Sequence, residues 1–186
     1  QNHQLMLLHG AQGKGKSTFV RHLLPPELKD YYRNGMISPD NKDHLLQMSS
    51  CLLINLDEFD TLSPARMQEL KSLITQDVMN ERKVYDIQNY TFIRRASFIA
   101  STNNPHCLPD IGENRRILFN TLLEIDYHTP VNHQGIYAQA YALYRQGFQY
   151  WYENQEITFL NNRNEAFRQK DPVEENLFFY FRAARP

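Results

Sequence analysis

The octapeptide Gly10-Ala11-Gln12-Gly13-Lys14-Gly15-Lys16-Ser17 constrains this chain more than any other feature. It matches the pattern G-x-x-x-x-G-K-[ST] in full. Three glycines in eight residues let the backbone take conformations closed to other residues, so that successive N–H groups can converge on an anion. An apolar, strand-like run over residues 5–9 precedes the octapeptide. A helix-forming run over residues 17–24 follows, until Pro25-Pro26 stops it. In that strand–loop–helix context the spacing implies a nucleoside triphosphate site. Lys16 would reach the β- and γ-phosphates, and the Ser17 hydroxyl would ligate Mg2+. Gly10, Gly13, Lys14, Gly15 and Thr18 complete the expected ATP contacts. Lys14 reads equally well as a solvent-facing loop lysine.

Apolar runs of strand length alternate with stretches of helical period, which predicts an α/β fold with a mainly parallel sheet flanked by helices and a helical C-terminal part. The expected strands are 5–9, 51–56, 97–101 and 116–125. Residues 40–48 read as a short helix capped by Asp40. Ser63-Pro64 is an N-cap with proline at the first helical position, followed by Met67, Leu70, Leu73 and Ile74 at amphipathic spacing. Residues 84–95 suggest a hairpin around Gln88-Asn89, and residues 27–39 are ambiguous, with turn signals at Asn34-Gly35. A long helix is expected over 135–153. Its aromatic stripe, from Tyr137 to Trp151, reads as lid-helix core or a surface toward further domains rather than a nucleotide platform. The organisation expected is an ATPase core at 1–130 and a helical segment at 131–186, cut from a longer protein.

Three further groups complete a hydrolytic pattern. Leu52-Leu53-Ile54-Asn55-Leu56 is an apolar strand ending in Asp57-Glu58, and ligands bind at the carboxyl ends of parallel strands. Asp57 would hold the metal, directly or through water, and Glu58 would orient or deprotonate the attacking water. Asp60 reads as a surface or capping acid. The strand at 97–101 ends in Thr102-Asn103-Asn104, where Asn103 could bond both the water and the γ-phosphate. Arg115-Arg116 follows, and such always-charged groups suit transition-state phosphoryl charge, often from a neighbouring subunit.

The order of these groups resembles the ATPase core of superfamily 3 helicases, within the ring-forming AAA+ class of P-loop ATPases. Leu56-Asp57-Glu58-Phe59-Asp60, Leu70-Lys71-Ser72-Leu73-Ile74-Thr75, the run from Arg94-Arg95 to Asn103, and Asn114-Arg115-Arg116 resemble the virulence-associated protein E family more closely. Its members occur in bacterial mobile elements and phages, commonly as the helicase-like part of primase–helicases. The resemblance implies an ATP- and Mg2+-dependent cytoplasmic DNA motor working as a homo-oligomeric ring, with an upstream primase-like domain. It places Lys16 and Ser17 on Walker A, Asp57 and Glu58 on Walker B, and Asn103 on the polar sensor. Arg115 or Arg116 falls on the arginine finger. Lys71, Thr75, Arg82, Lys83, Arg94 and Arg95 fall in a segment that projects a DNA-contacting hairpin.

Composition is compatible with this. The 186 residues are 41% hydrophobic, enough to bury a core, and no apolar run is long enough to span a membrane. Twenty Lys and Arg against 21 Asp and Glu exclude a globally basic nucleic-acid binder, though not a local basic track. Arg82, Lys83, Arg94 and Arg95, interleaved with Tyr85, Tyr90 and Phe92, could contact single-stranded or duplex DNA. Two cysteines make no disulfide framework, and the seven histidines lack metal-ligand spacing. Two other readings stay open: a P-loop kinase of a small molecule or nucleotide, and a nucleotide-gated assembly module that does not hydrolyse.

Overall fold

In the computed structural model the described residues are 2–57, 59–82, 89–108 and 114–169, with 173, 176, 180 and 181; side chains at 81, 82 and 89 fall outside this set. Among the described residues the strands are β1 (Leu5–His9), β2 (Tyr32–Asn34), β3 (Leu53–Leu56), β4 (Val78–Arg82), β5 (Asn89–Ile93), β6 (Ser97–Thr102) and β7 (Ile117–Thr121). The helices are α1 (Lys16–Arg21), α2 (Lys42–Ser50), α3 (Pro64–Thr75), α4 (His133–Arg145) and α5 (Asn154–Glu165).

Five strands form one sheet in the order β2-β3-β6-β1-β7, every pairing parallel. Parallel strands are buried on both faces, and the alternation within each strand feeds two cores. Leu5 and Leu7, Ile54 and Leu56, and Phe98 and Ala100 face the larger core, which α2 and α3 close with Met48, Met67, Leu70, Leu73 and Ile74. Leu8, Leu53 and Ile99 face the other side, where α1 covers them with Val20 and Phe19.

Local chemistry fixes the helix ends. The Ser63 side chain accepts from the Arg66 N–H with Pro64 at the first turn, as the sequence predicts. At α2 the cap is Asn41, which accepts from the Asp43 N–H, and not Asp40.

Three elements differ from expectation. The ambiguous stretch contains β2, a short edge strand of three residues beside β3; its Tyr-Arg-Asn sequence carries no strand signal of its own. The hairpin begins earlier than expected, since β4 pairs antiparallel with β5 from Val78↔Ile93 to Arg82↔Asn89. The C-terminal helix is two. Gly147, at φ 72°, ends α4 in a left-handed turn, with Gly147 N–H bonded to Tyr144 O and Phe148 N–H to Leu143 O. A capping box between Glu153 and Glu156 then starts α5. The aromatic stripe of α4 is not core: Tyr137, Tyr141 and Tyr144 are exposed and the helix buries no residue.

Helix α5, by contrast, packs on the sheet. Leu160 is buried, and just beyond the helix Phe167 stacks on Phe119 at 3.7 Å between ring centroids. Among the described residues no helix is long and apolar enough to cross a membrane.

Candidate functional site

Because the sheet is parallel, β1, β3, β6 and β7 all end on the same edge, and their C-terminal residues converge there. The β1–β6 ladder runs one bond past the strands, from Gly10 N–H to Thr102 O at 3.2 Å, so the glycine loop leaves β1 directly beside the end of β6. Gly13 and Gly15 sit at φ 76° and 78°, left-handed values that only glycine adopts at little cost. Gly15 precedes the first residue of α1, and the Phe19 N–H closes the first turn on Gly15 O at 2.8 Å.

The turn drives Lys16 inward. Its ammonium is buried and donates to Gly10 O at 2.6 Å, Ala11 O at 2.9 Å and Asn103 Oδ1 at 2.7 Å. Burial lowers the Lys16 pKa, and the Asp60 charge opposes that shift. Asp60 lies in the single turn Phe59–Thr61, anchored by the fully buried Phe59. It was expected at the surface, and it is indeed exposed, yet its charge reaches the ammonium. His9 ends β1 beside this cluster. Burial and the nearby Lys16 lower its pKa, and its ring lies 5.6 Å from Phe119.

Asp57 follows β3 and is held by two amides. Asn55 Nδ2 donates to Asp57 Oδ1 at 2.8 Å and to Asn34 Oδ1 at 2.6 Å, while Asn34 Nδ2 donates to Asp57 Oδ2. Asn55 is completely buried. A lone amide inside an apolar strand was the available sequence signal for this bracket; Asn34, on the edge strand, gave none. Ser17 and Thr18 are exposed at the mouth of the loop, as is Lys14. Glu58 lies outside the described residues.

A cleft of about 370 Å³ runs over the loop, lined by residues 12–18, Ser101, Asn103 and Tyr127. Tyr127 comes from the segment after β7, which the Leu122 N–H joins to His9 O at 2.8 Å. Nothing in the local sequence marks this tyrosine.

Arg115 and Arg116 stand at the other edge of the sheet. The Leu5 N–H bonds Arg116 O at 2.7 Å, so both arginines lie where β1 and β7 begin. A five-residue strand, at roughly 3.3 Å per residue, separates them from the loop of the same chain.

The segment expected to contact DNA divides. Arg94 is a correction: it is 1% exposed, and its guanidinium donates to Gln76 O (2.8 Å), Ala96 O (2.6 Å) and Asn2 O (2.8 Å) while lying over the Phe98 ring. A charge with its donors engaged inside the fold braces the hairpin and has no surface to offer a phosphate. Lys71 is a second correction. It is buried in α3 and donates to Asn114 Oδ1 at 2.8 Å; burial, then the Arg116 charge, lowers its pKa. Thr75 bonds back to its own helix, to Ser72 O. Arg95 is exposed. The Arg82 side chain and all of Lys83 lie outside the described residues.

The fold and this edge define a parallel α/β protein whose glycine loop leaves a central strand and turns one lysine toward a strand-end asparagine. The model of the virulence-associated protein E-like domain matches residues 1–169, and the chain belongs to that family. No curated protein matches the chain. The apo structure of the NrS-1 C-terminal region is similar in fold, at 15% identity and a TM-score of 0.51 over 89% of this chain and 36% of that one. Its A-form apo structure aligns at 16% identity and a TM-score of 0.47 over 89% and 35%. The chain therefore spans about a third of the length of these structures.

Proposed function

We propose that this chain is the ATP-binding and hydrolysing part of a DNA helicase or primase–helicase associated with replication. The observation that carries the reading is the Lys16 ammonium, buried beneath a left-handed glycine loop and pointed at Asn103. A desolvated cation held by three neutral oxygen acceptors suits exchange of those partners for charged phosphate oxygens. The cleft volume falls within the range that takes ligands of nucleotide size.

In this reading the loop N–H groups and Lys16 bind the triphosphate, and Asn103 aligns the attacking water with the γ-phosphorus. Glu58 takes the water proton as the bond to the leaving diphosphate oxygen breaks. The residues present fit Mg2+: an exposed Ser17 hydroxyl and the Asp57 carboxylate, steered by Asn34 and Asn55, are hard oxygen donors, and Mg2+ takes few protein ligands beside phosphates and water. The bound ion would neutralise charge on the β- and γ-oxygens. Arg115 and Arg116, at the opposite edge of their own sheet, suit action on a neighbouring subunit of a ring. Arg95 and, by sequence, Arg82 and Lys83 remain the proposed DNA contacts.

The test combines binding and turnover. Lys16→Ala abolishes ATP binding in equilibrium dialysis, and retained binding overturns the site. Glu58→Gln binds ATP but loses DNA-stimulated phosphate release. Phosphate delivered to a small acceptor instead of water assigns the chain to the kinases.

A further inference from the structure

Tyr127 lies far from the glycine loop in sequence and against it in space. A methyl group built on Gly15 would run into Cδ1 and Cε1 of the Tyr127 ring, so the ring packs directly on the Gly15 Cα. The same ring lines the cleft above the loop, and it is the one aromatic side chain among the cleft's described residues.

Its position is built. Asp126 Oδ1 accepts from the His128 and Thr129 N–H groups at 3.1 and 3.0 Å, and Oδ2 accepts from the Thr129 hydroxyl at 2.5 Å. This closed turn presents Tyr127 at its apex. The His128 ring lies 4.1 Å from the Tyr127 ring, tilted by 35°. The segment is tied to β1 through the Leu122–His9 bond.

A triphosphate needs none of this. Its oxygens are matched by backbone N–H groups and by Lys16, and an aromatic ring at the rim adds nothing to their recognition. What remains of a nucleotide once the phosphates are placed is a sugar and a flat, polarisable base. We propose that Tyr127 is the base-stacking side chain of this site, so that the site takes a nucleotide rather than any polyphosphate. The inference rests on the nucleotide reading above and adds the group that recognises the base.

The test compares ATP with inorganic triphosphate, each titrated with Mg2+ by calorimetry into wild-type protein, Tyr127→Ala and Tyr127→Trp. Tyr127 is half-buried in a surface turn, and thermal melts confirm that each variant is folded. Stacking on one ring predicts a loss of about tenfold or more in ATP affinity for Tyr127→Ala, recovery in Tyr127→Trp, and triphosphate affinity unchanged within about twofold. An equal loss for both ligands overturns the inference and makes Tyr127 a prop for the loop. Tighter binding of both also overturns it, since the ring then occludes the cleft. Unchanged ATP affinity overturns it while leaving the nucleotide site standing. If wild-type protein binds neither ligand, the nucleotide reading fails and the inference falls with it.

Discussion

Lys16 Nζ donates a 2.7 Å hydrogen bond to Asn103 Oδ1, joining the turn after β1 to the end of β6 across 87 residues of sequence. The two ladder neighbours β1 and β6 thus carry a donor and an acceptor to the same point above the sheet edge. Asn103→Ala removes the acceptor but leaves Lys16 two carbonyl partners. The expected outcome is ATP affinity within about threefold of wild type and phosphate release slowed by tenfold or more, a loss confined to the transition state. Loss of ATP binding equal to that of Lys16→Ala would show instead that Asn103 only holds the lysine.

The arginines at the opposite sheet edge give a mixing prediction. Lys16→Ala and the Arg115→Ala/Arg116→Ala double variant are each expected to be inactive as separate preparations. Mixed under conditions where rings form, they should regain part of the phosphate release, because some interfaces then pair an intact loop with intact arginines. No recovery in assembled rings would sink action between subunits.

Gly15 faces two constraints at once, a φ of 78° and the Tyr127 ring. Gly15→Ala should cost more than the ~1–2 kcal/mol of a left-handed alanine, because the ring must also move. Pairing it with Tyr127→Ala should recover the steric part only. Urea denaturation of the single and double variants separates the two contributions, and a double variant as stable as wild type would refute the backbone one.

Arg94 and Arg95 are adjacent, alike in chemistry and opposite in setting. Arg94→Ala leaves three backbone carbonyls without their donor and is expected to lose about 3 kcal/mol or more of stability. Arg94→Lys should not rescue it, because one ammonium cannot span three divergent acceptors. Arg95→Ala should stay within about 0.5 kcal/mol while weakening DNA binding in a salt-dependent way. Chemical denaturation and a DNA titration at two salt concentrations check both.

Burial pushes the Cys107 thiol up from 9.0 to about 11. The unfolded thiol therefore ionises first, and between those values the folded state holds the extra proton. Stability is accordingly complete below pH 9 and falls as pH rises toward 11, by up to about 3 kcal/mol. The stability gap between wild type and Cys107→Ala should narrow from pH 8 to pH 10 in urea melts. A gap independent of pH would show that the thiol is not protected.

The glycine loop, its flanking strand and helix, and the strands β3, β6 and β7 were legible because their signals are local. Glycine at a left-handed position, proline after a helix and unbroken apolar runs act within a few residues. The strand-end placement of Asp57 and Asn103 follows from the same runs, since a parallel sheet brings all its carboxyl ends to one edge. The edge strand β2 was not legible, because three polar residues become a strand only when β3 is beside them. The break at Gly147 was legible in principle, as a glycine just after the last helical turn, but the aromatic period running through it masked the stop.

The sequence by itself determined the glycine loop between its strand and helix, the parallel α/β class and the order in which the charged groups meet the strand ends. Only the tertiary structure decided which basic residues are surface and which are struts. Arg94 is spent on the carbonyl of Asn2, 92 residues away, and Lys71 on Asn114, 43 residues away. It also decided that Tyr127 lies on Gly15 and that Arg115 and Arg116 lie at the sheet edge opposite their own loop. Periodicity and turn chemistry report what a residue prefers among near neighbours. Burial of a charge and the ring that covers a loop depend on contacts between distant segments, which exist only once the sheet has ordered its strands.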